Sequence, residues 1–151
     1  MFVIKEVDLN DIIDFRHEIL RPYQSIEDCI YDTDKHMETF HVGAYHGEEL
    51  VSIASFNREC TDFFCEADQF RLRAMATKPD FRKQGAGRLI VQFAEKKLIL
   101  KGCGLLWCKG RTSVIEYYNK LGFEPFGDVF DYPPIGPHII LFKRTIPIAH
   151  L

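Results

Sequence analysis

The chain has 151 residues, of which 46% are hydrophobic and 27% charged, and its formal net charge is −3. This length and composition are typical of one globular domain, which we expect to span residues 1–151 and to bury a core of its own. The sequence lacks a run of about 18 apolar residues and a charged leader followed by an apolar run, which argues against a membrane or secreted protein and predicts a cytoplasmic one.

Charge is distributed unevenly along the chain. Residues 1–69 contain 5 basic and 16 acidic side chains, whereas residues 70–111 contain 11 basic and 2 acidic ones. The basic segment favours a polyanionic ligand. A nucleic acid is disfavoured, because the whole chain is acidic and lacks basic clusters interleaved with aromatic residues.

The cysteines number five and show no metal-ligand spacing. An odd count of this kind suits a reducing compartment. We therefore expect no metal site and only free thiols, buried or on the surface, at Cys29, Cys60, Cys65, Cys103 and Cys108.

The first half of the chain predicts a strand, two helices and two further strands. Apolar residues at helical spacing after a cap at Asn10 or Asp11 predict a helix that ends near Leu20. Ser25 with Asp28 resembles a capping box and predicts a short second helix. Two strands joined by a hairpin then follow an acidic loop. The three predicted strands cover residues 2–9, 39–45 and 50–57.

The middle of the chain carries a glycine-containing motif between a strand and a helix. Residues 69–77 predict a buried strand, and apolar residues at helical spacing predict a helix from the motif to about residue 101. The motif itself is RKQGAGR, residues 82–88. Its glycines permit unusual backbone conformations, and the first amides of a helix have no intrahelical partner. With three basic side chains beside them, these amides predict a phosphate or diphosphate site.

Two common phosphate-binding motifs do not fit this segment. A P-loop that begins at Gly85 needs its second glycine where Ile90 stands. A dinucleotide fingerprint needs its third glycine at the same position. Both readings therefore fail.

The last third predicts a strand, a helix and two strands. The strands cover residues 105–109, 124–130 and 137–144, and the helix covers residues 113–121, with Gly122 as its left-handed cap. Prolines between the last two strands predict a connection too stiff for a tight hairpin. The helix carries a second motif, VIEYYNKLGF, residues 114–123.

The two motifs together resemble the GCN5-related N-acetyltransferase (GNAT) superfamily. R-x-x-G-x-G after a strand is similar to its cofactor loop, and a Tyr followed by K-x-G-F is similar to its late helix. Tyr118 follows Arg82 by 36 residues, which leaves room for one helix and one strand. The resemblance implies an α/β (α+β) single-domain acyl-CoA N-acyltransferase fold, with a mixed sheet of six to seven strands, about four flanking helices, and splayed fourth and fifth strands.

The resemblance also implies a donor and a site. Acetyl-CoA would bind with its diphosphate on the backbone amides of the motif and its pantetheine arm along the fourth strand, without a metal. Tyr118 would be the catalytic residue, since a phenol of pKa near 10 can pass a proton to the departing thiolate. The cofactor-binding residues would be Met75, Ala76, Thr77, Arg82, Lys83, Gln84, Gly85, Ala86, Gly87 and Arg88.

The implied reaction is direct transfer of an acetyl group, within a ternary complex, to a primary amine of a small molecule or peptide. The general base stays open, because the fourth strand has no acidic residue. Water, His138 or His41 could serve. Arg111 stands where many members of the superfamily have an Asn near the cofactor.

The charge of the acceptor and the oligomeric state also stay open, with a homodimer among the alternatives. The acidic loop at residues 32–38 would attract a cationic amine, whereas Arg21 and Arg73 would attract a carboxylate or phosphate. Two rivals remain. One is a domain that binds CoA or acyl-CoA without turnover, and the other is an acyltransferase with a longer acyl donor or a hydroxyl acceptor.

Overall fold

A computed structural model describes residues 1–133 and 135–145. These residues form a seven-stranded mixed sheet with helices on both faces. The strands are β1 (Val3–Glu6), β2 (Phe40–His46), β3 (Glu49–Arg58), β4 (Gln69–Thr77), β5 (Leu105–Arg111), β6 (Glu124–Tyr132) and β7 (Gly136–Arg144), and the α-helices are α1 (Leu9–Phe15), α2 (Ala86–Leu100) and α3 (Ile115–Lys120). The strand order is β1-β2-β3-β4-β5-β7-β6. The predicted mixed α/β fold and order of elements are confirmed.

The N-terminal helical region differs in detail from the expectation. Helix α1 begins at Leu9, after Asp8, whose side chain makes no capping hydrogen bond. The helical path continues to Leu20, as expected, but as a π-helical segment, Arg16–Leu20. The expected second helix is only a 3-10 turn, Glu27–Cys29, although the Asp28 amide does donate to Ser25 Oγ at 3.3 Å. The described residues therefore contain three α-helices instead of about four.

Strands β4 and β5 form the single parallel pair among the described strands. They pair over only three positions, Gln69–Leu105, Phe70–Leu106 and Arg71–Trp107. Beyond Arg71 the two strands separate, which confirms the predicted splay. β4 also contains an irregularity in its register with β3, and Ala74 there has a positive φ of 55°. Bulges of this kind bend a strand and are common beside active sites.

The connection between the last two strands is shorter than expected. Tyr132 of β6 pairs with Gly136 of β7, and the amide of Ile135 donates to the Tyr132 carbonyl at 2.8 Å. The expectation of a connection too stiff for a tight hairpin was wrong. Gly136 adopts a φ of 110°, which allows the chain to reverse without a Cβ clash.

The main core lies between the sheet and α2. Ile90, Val91, Ala94 and Leu98 of the helix are buried against it. Burial of each large aliphatic side chain contributes about 1.5–3 kcal/mol, so α2 is firmly held on this face. The opposite face is covered by α1, whose buried residues pack with Ile53. Helices therefore cover both faces of the sheet.

The thiols follow the sequence expectation. All five cysteines are free, with Cys29, Cys103 and Cys108 buried and Cys60 and Cys65 exposed. Burial raises the pKa of the Cys108 thiol far above its ordinary value. Across the described ranges 1–133 and 135–145, no helix combines the length and apolarity needed to span a membrane.

Candidate active site

The gap between β4 and β5 is the centre of the candidate site. Here β4 and β5 do not pair with each other, over residues 72–77 of β4 and residues 108–111 of β5. Beyond Arg71, β4 therefore presents an open edge toward the gap, although the carbonyls of Ala76 and Thr77 already accept hydrogen bonds from Ser52 Oγ and Arg82 Nε. Backbone N–H and C=O groups need partners, so such an edge can take up an extended ligand.

The glycine motif lies at the start of α2, as predicted. Gly85 takes the N-cap position with a φ of 90°, and Lys83 before it also has a positive φ of 63°. Within the part of the chain that the structure describes, the backbone N–H groups of residues 83–88 donate to no protein acceptor. Six consecutive amides at the positive end of a helix dipole are thus available to an anion.

Basic side chains surround these amides. Lys83 and Arg88 are exposed, whereas the Arg82 Nε donates to the carbonyl of Thr77 at 3.1 Å and so joins the motif to the end of β4. Arg88 and Lys120 also line a cavity of about 270 Å³ between α2 and α3. The structure thereby brings all ten predicted cofactor-binding residues to one end of β4 and α2.

Tyr118 projects from α3 toward the unpaired half of β5. A Cβ added to Gly110 would lie 3.3 Å from the Tyr118 ring, and the ring also makes an edge contact with Phe123. Burial is the main cause that raises the pKa of Tyr118 well above its ordinary value. Its hydroxyl has no hydrogen-bond partner among the described residues. Tyr118 is therefore a protonated phenol with a free hydroxyl on the α2 side of the gap.

Tyr117 is a site residue that the sequence did not reveal. Its hydroxyl donates to Met75 Sδ at 3.3 Å, and a Cβ added to Gly87 would overlap the same hydroxyl. Tyr117 thus joins α3, β4 and the first turn of α2 at one point. The motif contained the Tyr-Tyr pair, but only the second Tyr matched the resemblance.

The two candidate bases differ in their surroundings. His41 is buried and uses both ring nitrogens, Nδ1 with Ser55 Oγ at 2.7 Å and Nε2 with the Asp34 carbonyl at 3.2 Å. Burial is the main cause that lowers its pKa. His138 bonds through Nδ1 to the Gly136 carbonyl at 2.9 Å. A carbonyl only accepts, so Nδ1 carries the proton and the neutral ring keeps a lone pair at Nε2.

Two of the three carboxylates in the acidic loop at residues 32–38 are paired with arginines of the protein. Asp34 turns inward and accepts two hydrogen bonds from the fully buried Arg16, at 2.8 and 2.9 Å. Burial would raise the pKa of Asp34, but Arg16 and the amide of Tyr31 outweigh it and hold the pKa below its usual value. Glu38 is likewise paired, with Arg58.

Comparison with known proteins shows the family to which a chain with this fold and these motifs belongs. The model of the Acetyltransferase (GNAT) family matches residues 8–123. The chain belongs to this family and is an N-acetyltransferase. It is also 42% identical over 143 residues to a Bacillus subtilis (strain 168) protein described as "Uncharacterized N-acetyltransferase YitI". The alignment covers 95% of this chain and 96% of that relative.

Solved structures show the same fold at low sequence identity. An aminoglycoside 6'-N-acetyltransferase complexed with coenzyme A superposes with a TM-score of 0.71 at 18% identity, covering 96% of this chain and 98% of that one. The ribosomal-protein-S18-alanine N-acetyltransferase from Escherichia coli gives a TM-score of 0.69 at 17% identity, covering 96% and 94%. At these identities the likeness concerns the fold, and coenzyme A is a ligand of the first of these proteins.

Proposed function

We propose that this chain transfers an acetyl group from acetyl-CoA directly to a primary amine within a ternary complex. The observation that carries the proposal is the row of unoccupied amides at residues 83–88, beside a gap in the sheet that Tyr118 lines. The diphosphate of CoA fits this row because anions are stabilised at the N-terminus of a helix. The exposed charges of Lys83 and Arg88 add to that attraction.

The pantetheine arm is assigned to the open edge of β4. Its amide groups resemble a peptide, so it would pair with the backbone of residues 75–77 as an additional strand. This arrangement would bring the thioester toward the wider part of the gap. The side chains at these positions matter less than their backbone groups.

The bulge at Ala74 supports an oxyanion site. It re-aims the backbone amides of Met75 and Ala76 relative to a regular strand. A backbone N–H directed at the thioester oxygen would stabilise the negative charge that develops there in the tetrahedral intermediate. We assign this role to one of these two amides.

Tyr118 is assigned as the proton donor. A neutral amine attacks the thioester carbon, the C–N bond forms, and the C–S bond then breaks. The thiolate of CoA takes the phenolic proton. A base accepts the proton that the amine loses, and this proton is then returned to the phenolate of Tyr118, which restores the phenol. Burial raises the pKa of Tyr118, so the phenol stays protonated until the thiolate forms beside it, although the same shift makes the phenol a weaker acid than an exposed tyrosine.

The base is better sought at His138 than at His41. His41 is buried, both of its ring nitrogens already have hydrogen-bond partners, and burial lowers its pKa. His138 holds its free lone pair on β7, directly across from Arg111 of β5. A water molecule near the gap is the alternative carrier of the proton.

Thiol release from acetyl-CoA, measured with a panel of primary amines, tests the proposal. We expect turnover with at least one amine and a fall in kcat of at least about 10²-fold in Tyr118→Phe, the lower range for loss of a general acid. Tyr45→Phe, remote on β2, is the matched control and should retain activity. Turnover that is unaffected by Tyr118→Phe would overturn the role of Tyr118. Preference for a longer acyl-CoA would overturn the choice of donor.

A further inference from the structure

A group of basic side chains occupies the α1 face of the sheet where β4 and β5 separate. Arg71 and Arg73 alternate with core residues along β4, and Lys109 and Arg111 do the same along β5. Arg21 follows the π-helical segment Arg16–Leu20, which packs against β4. This face lies opposite the side of the sheet that carries α2 and the backbone amides of residues 83–88, to which we assign the diphosphate of CoA.

Only part of this positive charge is neutralised by the protein. Arg71 pairs with Glu59 at 3.3 Å, and the buried Arg16 nearby pairs with Asp34. Within the described residues, no carboxylate lies within 4.0 Å of Arg21, Arg73, Lys109 or Arg111. The face therefore carries an excess of positive charge in a chain whose net charge is negative.

Arg73 is held in place without a counterion. Its guanidinium lies 4.2 Å from the centre of the Tyr31 ring, which also stacks with Arg16 at 4.0 Å. In the described part of the chain, the guanidinium of Arg73 makes one hydrogen bond, to Thr33 Oγ1 at 3.5 Å. Burial and the nearby Arg71 lower the pKa of Arg73, so its charge is poorly compensated. A bound anion would supply that compensation.

Arg21 and Arg111 line a cavity of about 260 Å³ next to the β6–β7 turn. The Nε of Arg21 is buried and has no acceptor among the described residues. The Nε atoms of Arg16 and Arg71 are in the same condition, and a water or a bound anion in the cavity would give Arg21 its acceptor. Ile135 also lines the cavity, and its amide donates to the carbonyl of Tyr132.

The pKa of Tyr132 is affected by the same basic side chains. Lys109 lies 5.2 Å from the centre of its ring. Burial raises the pKa of Tyr132, but Arg71, Lys109 and Arg73 together outweigh burial and bring it below its ordinary value. Three cations from two strands thus act on one hydroxyl at the edge of the gap.

We infer that the acetyl acceptor carries an anionic group, a carboxylate or a phosphate, that binds between Arg21, Arg73 and Arg111 while its amine reaches the gap. This inference rests on the proposed acetyl transfer. A guanidinium matches both kinds of oxyanion because it offers paired N–H donors in one plane. A polyamine or another polycation would be repelled from this face.

The test compares acceptors that differ only in the anionic group. The probes are glycine, β-alanine, 4-aminobutyrate and 6-aminohexanoate, each against its carboxamide, with O-phosphoethanolamine for phosphate and 1,5-diaminopentane for a cation. Thiol release gives kcat/KM for each probe. We expect the best carboxylate or phosphate probe to exceed its neutral counterpart by about 10-fold or more, the size of one charge-assisted hydrogen bond.

The variants separate binding of the anion from general effects. Arg73→Gln and Arg111→Gln, the latter at an exposed position, should each lower the preference for the anionic probe over its neutral counterpart about 10-fold, mainly by raising KM for the anionic probe. Lys96→Gln removes one exposed charge from α2 and should leave the preference unchanged. Equal or better turnover of the carboxamides or the diamine, or a preference unchanged in both arginine variants, would overturn the inference.

A binding measurement distinguishes this inference from the proposed function. The N-acetyl derivatives of the same probes are titrated calorimetrically into CoA-saturated protein. Should no amine be acetylated while N-acetyl carboxylates bind and Arg73→Gln abolishes binding, acetyl transfer to these amines would fail and the anion site would stand. Turnover with neutral amines only, and no binding of the anionic products, would overturn the anion site and leave acetyl transfer intact.

Discussion

Gly87 offers the sharpest test of where the diphosphate binds. Gly87 is buried in the first turn of α2, and a side chain added there would overlap the hydroxyl of Tyr117 and lie 3.7 Å from Met75 Sδ. Tyr117 is 41% exposed and can swing outward to make room. Gly87→Ala and Gly87→Asp should therefore fold, at a cost of about 1 kcal/mol, while their new side chains face the proposed ligand.

The expected loss of affinity follows from the amides at this turn. A hydrogen bond from an amide to a charged oxygen contributes about 1.5–3 kcal/mol, so displacing one by an alanine methyl should weaken CoA binding about 10- to 150-fold. Aspartate adds a negative charge beside the diphosphate. Two charges about 4 Å apart at an effective dielectric constant near 20 repel by about 4 kcal/mol. Gly87→Asp should therefore weaken binding by roughly a further 10³-fold.

Isothermal titration of CoA into folded protein is the assay, with urea unfolding as the check on the fold. Leu100→Asp is the matched control, because it places the same charge on an exposed site at the far end of α2. It should bind CoA as the wild type does. Unchanged affinity in folded Gly87→Asp would refute the assignment of the diphosphate to these amides.

Three further outcomes are expected. Tyr118→Phe should keep the CoA dissociation constant and change the free energy of unfolding by less than about 0.5 kcal/mol, since its hydroxyl has no partner to lose; a large destabilisation would contradict this. Asp34→Asn should cost about 3–5 kcal/mol, because it leaves the buried Arg16 unpaired. Folding lowers the pKa of Asp34, so the ionised carboxylate stabilises the folded protein above about pH 4, and this stabilisation is lost as the pH falls through the folded pKa. Urea unfolding in acid should show this loss in the wild type and not in Asp34→Asn. Iodoacetamide should modify only Cys60 and Cys65 in the native protein, as mass spectrometry would show.

Much of the fold could be predicted because local patterns and tertiary packing agree. The apolar stripe of α2 proved to be the face that packs on the sheet, with Ile90 and Ala94 fully buried. The late helix was expected at residues 113–121, and its first turn is a 3-10 segment, Thr112–Val114. The family was identified from two short motifs in the right order, and comparison with known proteins bears this out.

The features that were missed depend on contacts between distant parts of the chain. The inward turn of Asp34 is dictated by Arg16, which lies 18 residues earlier and carries no sign of burial in its own helix. The bulge at Ala74 arises from the register of β4 against β3. The Tyr-Tyr dipeptide does not reveal that Tyr117 reaches Gly87. Charge counting identified a basic segment, but only the structure divides it between the two faces of the sheet.

Among the described residues, three pairs between β4 and β5 join a block of four strands to a block of three within the sheet. With so few sheet hydrogen bonds at this seam, the angle between the blocks also depends on the core shared by β4, β5 and α2. We therefore expect repacking beneath it, for example at Phe70 or Leu106, to alter the width of the opening and hence the grip on a donor that neither residue touches.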